Sequence, residues 1–198
     1  MDISVTARLA ALGLSPAKGQ PFVADCTGTA RFGLRAKGSA DWFEQGAGQI
    51  LPPVNRFSRG EDGLICLRLG LNDITLSGPA DRVAAAEAAW AARVAAGERC
   101  GVNGYRQDTW AHLVISGPEA DILMAQLTEI DLRDTALPVG AIAQTRMLHV
   151  DTVILRSDFG ATAGYELFFD IATKPFVLES LQHLAQGYRF VTAEGLTA

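Results

Sequence analysis

Three short segments in the first half of the chain have patterns typical of β-strands: the first alternates apolar and polar residues with a period of two, and the other two are short apolar runs separated by a turn. The segments cover residues 26–36, 64–69 and 74–76. Between the first two, residues 40–45 have the pattern of a short helix that ends at a glycine. The pattern therefore predicts three strands and one short helix before residue 79.

A longer helix is predicted over residues 79–96. Proline suits the first helical position, where its missing N–H group costs nothing, and Gly97 ends the segment. Apolar residues recur at intervals of three or four and predict the face that packs on the core, formed by Val83, Ala86, Trp90 and Val94. Such a stripe indicates core packing rather than a cofactor site.

The order of strand, Ser-Gly-Pro and helix occurs twice. Ser77-Gly78-Pro79 follows the strand at 74–76, and Ser116-Gly117-Pro118 follows a predicted strand at 112–115. The second helix again carries apolar residues on one face, which are Ala120, Leu123, Met124 and Leu127. The matching context suggests two related halves that meet near residues 95–105.

Further strands and one more helix are predicted in the second half. The strands cover 142–148, 153–156 and 165–171, and the helix begins near Pro175 and closes at Gly187. Strands mixed with two or three helices, at this chain length, predict an α+β fold with mostly antiparallel sheets and helices packed on one face.

The predicted organisation has three parts. An N-terminal segment over residues 1–19 is expected to be ordered only if it docks on another surface. The rest divides into an N-terminal α+β subdomain over 20–98 and a C-terminal α+β subdomain over 99–198, both of ferredoxin-like type.

Composition and charge exclude several classes of protein. The chain has 198 residues, of which 48% are hydrophobic and 20% charged, so it can bury a core. Its net charge of −5 repels nucleic acid and anionic lipid, and no apolar run approaches the roughly 20 residues that cross a bilayer. We therefore expect neither nucleic-acid nor membrane binding. An acidic N-terminus without a secretory pattern and three scattered cysteines predict a reducing, cytoplasmic location.

Motifs for phosphate binding and nucleophilic catalysis are missing from the sequence. Neither G-x-x-x-x-G-K-[ST] nor G-x-G-x-x-G occurs, and no Gly-x-Ser-x-Gly elbow presents a serine. Cys100 has a cationic neighbour, but we interpret it as a structural thiol. His149 and Asp151 would share one face of a strand, yet two ligands do not complete a zinc site. We interpret His112 and His183 as packed or solvated side chains.

Several phrases occur in an order that resembles one protein family. They are the runs at 32–35, 51–55, 67–76, 114–120, 129–132, 137–145 and 165–168. The most specific is the Pro-Val-Gly-x-x-Ala-Gln-Thr pattern that begins at Pro138. Over residues 32–184 the chain resembles the gamma subunit of heterotetrameric sarcosine oxidase, a relative of the glycine-cleavage T protein and other folate-binding aminomethyltransferases.

The resemblance implies two aminomethyltransferase-type subdomains and a non-catalytic role in a hetero-oligomer. The chain would pack on larger alpha, beta and delta subunits that bind FAD, FMN, NAD and tetrahydrofolate, and would bind none of these itself. The complex would act in sarcosine catabolism and one-carbon metabolism, on sarcosine or another N-methyl amine. The resemblance assigns this chain no catalytic residue and no metal ligand.

Two other hypotheses stay open. The first is a free-standing folate-binding protein or small aminomethyltransferase-like enzyme, which needs an acid or base positioned in a partly enclosed site. Asp131 and Glu166 are the candidates for that cofactor-binding role, under this alternative alone. The second is an interaction domain with no link to one-carbon metabolism.

Overall fold

The computed structural model describes residues 9, 14, 19–47, 50–159 and 163–192. The predicted N-terminal segment 1–19 therefore lies outside the described residues, except at Leu9, Leu14 and Gly19. The chain divides into two compact units. Unit 1 comprises Met1–Gly28 and Thr109–Ala198, and unit 2 comprises Thr29–Asp108.

Both units combine strands with helices. In chain order the elements are β1 (Phe22–Asp25), β2 (Ala30–Arg35), α1 (Ser39–Asp41) continuing as a π-helical turn (Trp42–Gly46), β3 (Arg56–Arg59), β4 (Ile65–Gly70), β5 (Asp73–Gly78), α2 (Ala80–Ala95), β6 (Val102–Asn103), α3 (Arg106–Thr109), β7 (Trp110–Ser116), α4 (Ala120–Leu127), β8 (Ile142–Met147), β9 (Val150–Asp158), β10 (Ala163–Asp170), a 3₁₀ turn (Ile171–Thr173), α5 (Lys174–Leu184) and β11 (Arg189–Thr192). None of the helices within the described ranges is both long and apolar enough to cross a membrane.

Unit 2 is an antiparallel sheet with one long helix. Its strand order is β3-β4-β5-β2-β6. Strand β2 lies beside β5 and places Phe32 directly opposite Leu76. Because alternate residues of a strand point to one face, these apolar side chains meet there and form a core with Trp42, Phe43 and Val83.

Helix α2 packs on this core along only part of its predicted stripe. Val83 is buried, and Ala86 and Trp90 are half-buried against the core. Trp90 Nε1 donates a hydrogen bond to the carbonyl of Cys100 at 3.1 Å. Val94 is exposed, so the prediction that it packs on the core is wrong. It lies one helical turn beyond Trp90, the last residue of the stripe that packs against the core.

Unit 1 is a six-stranded sheet with two helices on one face. Its strand order is β11-β1-β7-β10-β9-β8, and all neighbours are antiparallel except β1 and β11. Leu113 and Leu167 are opposite partners on β7 and β10. They share one core with Met124 of α4 and with Val177 of α5. The predicted α+β class, with mostly antiparallel sheets and helices on one face, is confirmed.

The two units group the strands differently from the predicted subdomains 20–98 and 99–198. Strand β1 belongs to the first predicted subdomain, yet it pairs with β7 and β11 of unit 1. Strand β6 belongs to the second, yet it pairs with β2 of unit 2. The chain leaves unit 1 after Gly28 and returns at Thr109. Strands β1 and β6 have only four and two residues, which is too short for the order of apolar and polar residues to show which distant strand each one pairs with.

Gly33 of β2 occupies a position with no room for a side chain. A Cβ atom there would lie 2.7 Å from Arg106 Cγ and 2.7 Å from Thr75 Oγ1. We predict that Gly33→Ala lowers the free energy of unfolding by about 1–3 kcal/mol, the usual cost of overpacking. Gly70→Ala is the control in urea unfolding, because its Cβ would meet only Asp73 Cβ, at 3.6 Å. Equal effects of the two substitutions would contradict the predicted clash.

Asp25 ties β1 to the first residue of α5. Lys174 Nζ donates a hydrogen bond of 2.7 Å to Asp25 Oδ2, and the Thr27 N–H donates one of 2.9 Å to Oδ1. Burial raises the pKa of the Asp25 carboxyl, but the hydrogen bonds from Lys174 and Thr27 outweigh it and hold the pKa below 3.8. The ionised carboxylate therefore stabilises the folded state at neutral pH.

This lowered pKa predicts a pH-dependent contribution to stability. The contribution is fully present above pH 3.8 and is lost as pH falls through the lower, folded-state pKa. We predict that Asp25→Asn melts at a lower temperature than the wild type at pH 7, and that the difference shrinks in the acid range. Asp151→Asn is the control, because that carboxylate is almost fully exposed. A constant difference between pH 7 and pH 2 would contradict the role of the ionised form.

Candidate functional site

Three polar side chains gather on one face of the unit 1 sheet. Glu166 lies on the central strand β10, His112 lies on β7, and Ser157 lies on β9. In the strand register, Glu166 is opposite Val114 of β7 and Leu155 of β9. His112 lies two residues before Val114, and Ser157 lies two residues after Leu155, so both are diagonal neighbours of Glu166. Such diagonal neighbours on one sheet face come within reach of each other's side chains. The strand pairing therefore brings together residues that are far apart in the sequence.

Both oxygens of the Glu166 carboxylate are hydrogen-bonded within the sheet. Ser157 Oγ donates to Glu166 Oε1 at 2.5 Å. His112 Nε2 is hydrogen-bonded to Glu166 Oε2 at 3.1 Å. The imidazole also stacks on the Phe168 ring, with 4.2 Å between the centroids and 18° between the planes. All three polar side chains are buried, so the carboxylate exchanges water for these partners.

The arrangement differs from that of a catalytic triad in the order of its hydrogen bonds. In a triad the histidine lies between the nucleophile and the acid, so that it can take the proton of the nucleophile. Here Glu166 lies in the middle, and Ser157 donates its proton to the carboxylate rather than to His112. The geometry therefore joins three strands and does not activate Ser157 as a nucleophile.

A second polar group lies on the opposite face of the same strands and holds a loop. Arg156 Nη1 and the Tyr165 hydroxyl both donate to the carbonyl of Leu132, at 3.3 and 3.1 Å. Arg156 also hydrogen-bonds Tyr165 Oη and pairs with Asp134 Oδ1 at 2.5 Å. Burial raises the pKa of Tyr165. These contacts fix the segment between α4 and β8 on the helix-covered face of the sheet.

Asp131 belongs to that segment and has a different environment from Glu166. Its side chain is exposed and forms a two-point ion pair with Arg133, with Nε to Oδ1 at 2.9 Å and Nη2 to Oδ2 at 2.7 Å. The hydrogen bonds from Arg133 lower the pKa of Asp131 to about 2. A carboxyl with such a low pKa stays ionised at neutral pH and is poorly matched to proton transfer.

The two candidate carboxylates are therefore not brought into one site. The segment that contains Asp131 is held by the hydrogen bond from the Tyr165 hydroxyl to the carbonyl of Leu132. Glu166 follows Tyr165 in the strand, so its side chain points to the other face of the sheet. Glu166 is buried with both oxygens hydrogen-bonded, whereas Asp131 is exposed and ion-paired with Arg133.

Unit 2 contains one polar cluster that the sequence did not indicate. Arg106 is buried, and its Nη2 donates to Asp73 Oδ1 at 2.8 Å and to Oδ2 at 3.1 Å. Arg35 Nε donates to Asp73 Oδ2 at 2.9 Å from the exposed side. Burial lowers the pKa of Arg106, and the nearby Asp73 carboxylate opposes that shift. The one sequence signal for this contact is Gly33, which leaves room for the Arg106 stem.

The remaining sequence candidates do not assemble into a site. His149 has a left-handed backbone (φ 64°) in the β8–β9 turn, and Asp151 pairs with Arg146 at 3.0 Å. Across the described part of the chain, no three His, Cys, Asp or Glu side chains lie together as a metal site would require. Cys66 and Cys100 are buried free thiols, and burial raises the pKa of Cys66 to about 12.

Removal of the Glu166 carboxylate tests the buried cluster. Glu166→Ala leaves Ser157 and His112 without their acceptor, so we predict a loss of about 3–5 kcal/mol in the free energy of unfolding, as for a broken buried pair. Glu166→Gln keeps an acceptor for Ser157 and should lose less. Glu179→Ala, at an exposed position of α5, is the control in urea unfolding. Equal midpoints for Glu166→Ala and Glu179→Ala would contradict the structural role.

Comparison with known structures gives two similar folds. A chain of the heterotetrameric sarcosine oxidase from Corynebacterium sp. U-96, in complex with pyrrole 2-carboxylate, has 18% sequence identity and a TM-score of 0.67; the match covers 90% of this chain and 91% of that chain. Glycine cleavage system aminomethyltransferase T from Bartonella henselae has 18% identity and a TM-score of 0.63, over 87% of this chain and 48% of that chain. The chain thus spans about half the length of the aminomethyltransferase.

Comparison of the sequence itself gives the family. No curated protein matches the sequence. The GCVT N-terminal domain, in contrast, matches residues 44–198. That match covers more than three quarters of the 198 residues and agrees with the resemblance inferred from the ordered phrases. The chain belongs to the family of the GCVT N-terminal domain.

Proposed function

We propose that the chain is the non-catalytic gamma subunit of a heterotetrameric sarcosine oxidase or of a related N-methyl-amine dehydrogenase. One observation carries the proposal, which is the length of the structural match. The match covers 90% of this chain and 91% of the chain in the sarcosine oxidase, so the two chains have nearly the same length. The likeness therefore extends over most of one chain of an enzyme complex.

The polar groups of unit 1 support a structural role for the chain. Glu166 joins three strands, and Arg156 fixes a loop to the sheet. An acid or base that transfers protons to a substrate has to reach the reacting atom within hydrogen-bond distance. Buried groups that are already paired with each other suit a subunit that supports its partners.

In this proposal the chemistry takes place on the larger alpha, beta and delta subunits. Those subunits bind FAD, FMN, NAD and tetrahydrofolate, and they convert sarcosine to glycine, with formaldehyde or methylene-tetrahydrofolate and hydrogen peroxide as further products. The gamma chain covers and stabilises them. Its own residues hold the fold that presents the contact surface.

Co-expression tests the proposed subunit role. We predict that the chain co-elutes in size-exclusion chromatography with the flavoprotein subunits encoded beside its gene, and that it does not co-elute with an unrelated flavoprotein oxidase, which is the control. A chain that stays monomeric in the presence of those subunits would contradict the proposal. Saturable micromolar binding of tetrahydrofolate to the isolated chain, measured by calorimetry, would favour the free-standing folate-binding protein instead.

A further inference from the structure

One end of the unit 2 sheet carries exposed apolar side chains beside an ion pair. Across neighbouring strands, Val102 pairs with Arg35, Arg35 with Asp73, and Asp73 with Gly70. Leu71 follows Gly70 directly, and Tyr105 lies two residues after the end of β6. We use the name docking row for Arg35, Leu71, Asp73, Val102 and Tyr105.

The apolar members of the docking row are strongly exposed. Leu71 is 72% exposed, Tyr105 is 65% exposed and Val102 is 57% exposed. Single exposed apolar residues are normal on a monomer, but several along one row mark an interaction surface. Tyrosine and arginine are also enriched at protein interfaces, and the docking row contains both. This row therefore has the composition of a protein contact.

Cationic groups outnumber carboxylates around the docking row. Glu87 Oε1 accepts a hydrogen bond of 3.2 Å from Asn103 Nδ2, beside Val102. Asp73 accepts hydrogen bonds from two guanidinium groups, those of Arg35 and Arg106. Next to it, Arg68 donates to the carbonyls of Pro52 and Leu71, at 3.2 and 3.4 Å, and carbonyl oxygens carry no compensating charge. An acidic partner surface complements this arrangement.

The distribution of charge over the chain supports the same conclusion. Unit 2 contains ten Lys and Arg residues against nine Asp and Glu, whereas the rest of the chain contains seven against thirteen. The net charge of −5 therefore arises outside unit 2. In a symmetric dimer the docking row would face the same row of the second copy and set positive charge against positive charge, so an acidic partner surface complements it better.

Backbone contacts hold the docking row in place. The Tyr105 N–H donates to Asn103 Oδ1 at 2.8 Å, and the Gly104 N–H donates to the carbonyl of Gly33 at 2.8 Å. Tyr105 has a left-handed backbone, with φ at 50°, which is uncommon for an aromatic residue. A contact surface that is already ordered loses less entropy when a partner binds.

We propose that the docking row binds an acidic, apolar surface on one of the larger subunits of the oxidase complex. The inference rests on the proposed function and adds to it the face of the chain that meets its partner. Leu71, Val102 and Tyr105 supply the apolar contact. Arg35 supplies the charge that steers and orients the acidic partner.

The test compares two double variants of the full chain, each co-expressed with the flavoprotein subunits. Leu71→Asp with Val102→Asp places two negative charges in the docking row. Ile122→Asp with Val139→Asp is the matched control in unit 1, where these residues are 56% and 55% exposed. We expect the row variant to bind the subunits at least roughly tenfold more weakly than wild type, as for the loss of central contacts. The control should bind like wild type.

The possible outcomes separate a failure of the docking row from a failure of the proposed subunit role. If the wild type and both double variants co-elute with the subunits, the docking row is overturned and the subunit role stands. If the wild type itself does not co-elute, the subunit role fails and the inference fails with it. Equal loss of binding in both variants overturns the docking row as the specific face. A wild-type chain that dimerises alone, and becomes monomeric in the row variant, assigns the row to a second copy and overturns the proposal.

A single substitution covers the case in which the row variant fails to fold. Tyr105→Asn removes an exposed aromatic ring, and asparagine tolerates the left-handed backbone at this position. We expect the variant to fold, as checked by its melting temperature, and to bind the flavoprotein subunits more weakly. Unchanged binding at an unchanged melting temperature would overturn the contact of Tyr105.

Discussion

A buried carboxylate in a sheet has to keep its hydrogen bonds, and Glu166 places this constraint at the centre of unit 1. Its oxygens are satisfied only while β7, β9 and β10 keep their register, because Ser157 and His112 come from the two flanking strands. A slip of one residue would move His112 to the other face of the sheet. The cluster thus opposes alternative alignments that the apolar pattern alone would allow.

Two buried ionised side chains, Asp25 and Arg106, also depend on their partners and connect distant parts of the chain. Asp25 contacts Lys174 across 149 positions, and Arg106 contacts Asp73 across 33 positions. Neither charge can leave its partner without a large desolvation cost, so each ion pair fixes one element of its unit against another. The polar interior therefore specifies the topology, while apolar burial supplies most of the driving force.

The sequence revealed the long elements and missed the short strands for a physical reason. Helix α2 and strands β4 and β10 have six or more residues, enough to display a period of two or 3.6. Strands β1, β3, β6 and β11 have four residues or fewer, so their partners decide their structure. Likewise, Asp131 binds Arg133 two residues away, whereas the partners of Glu166 lie 9 and 54 positions away and depend on strand register.

One fold serves both a chain of an oxidase complex and half of an aminomethyltransferase, so the fold alone does not determine what this chain does. The buried polar groups described above are committed to each other and so are not available to a ligand. What remains to distinguish one member of such a family from another is its surface. In this chain the exposed row of unit 2 carries apolar side chains where cationic groups outnumber carboxylates, while the rest of the chain is acidic. Under the proposed subunit role, that contrast makes the exposed row the part of this chain that recognises a partner.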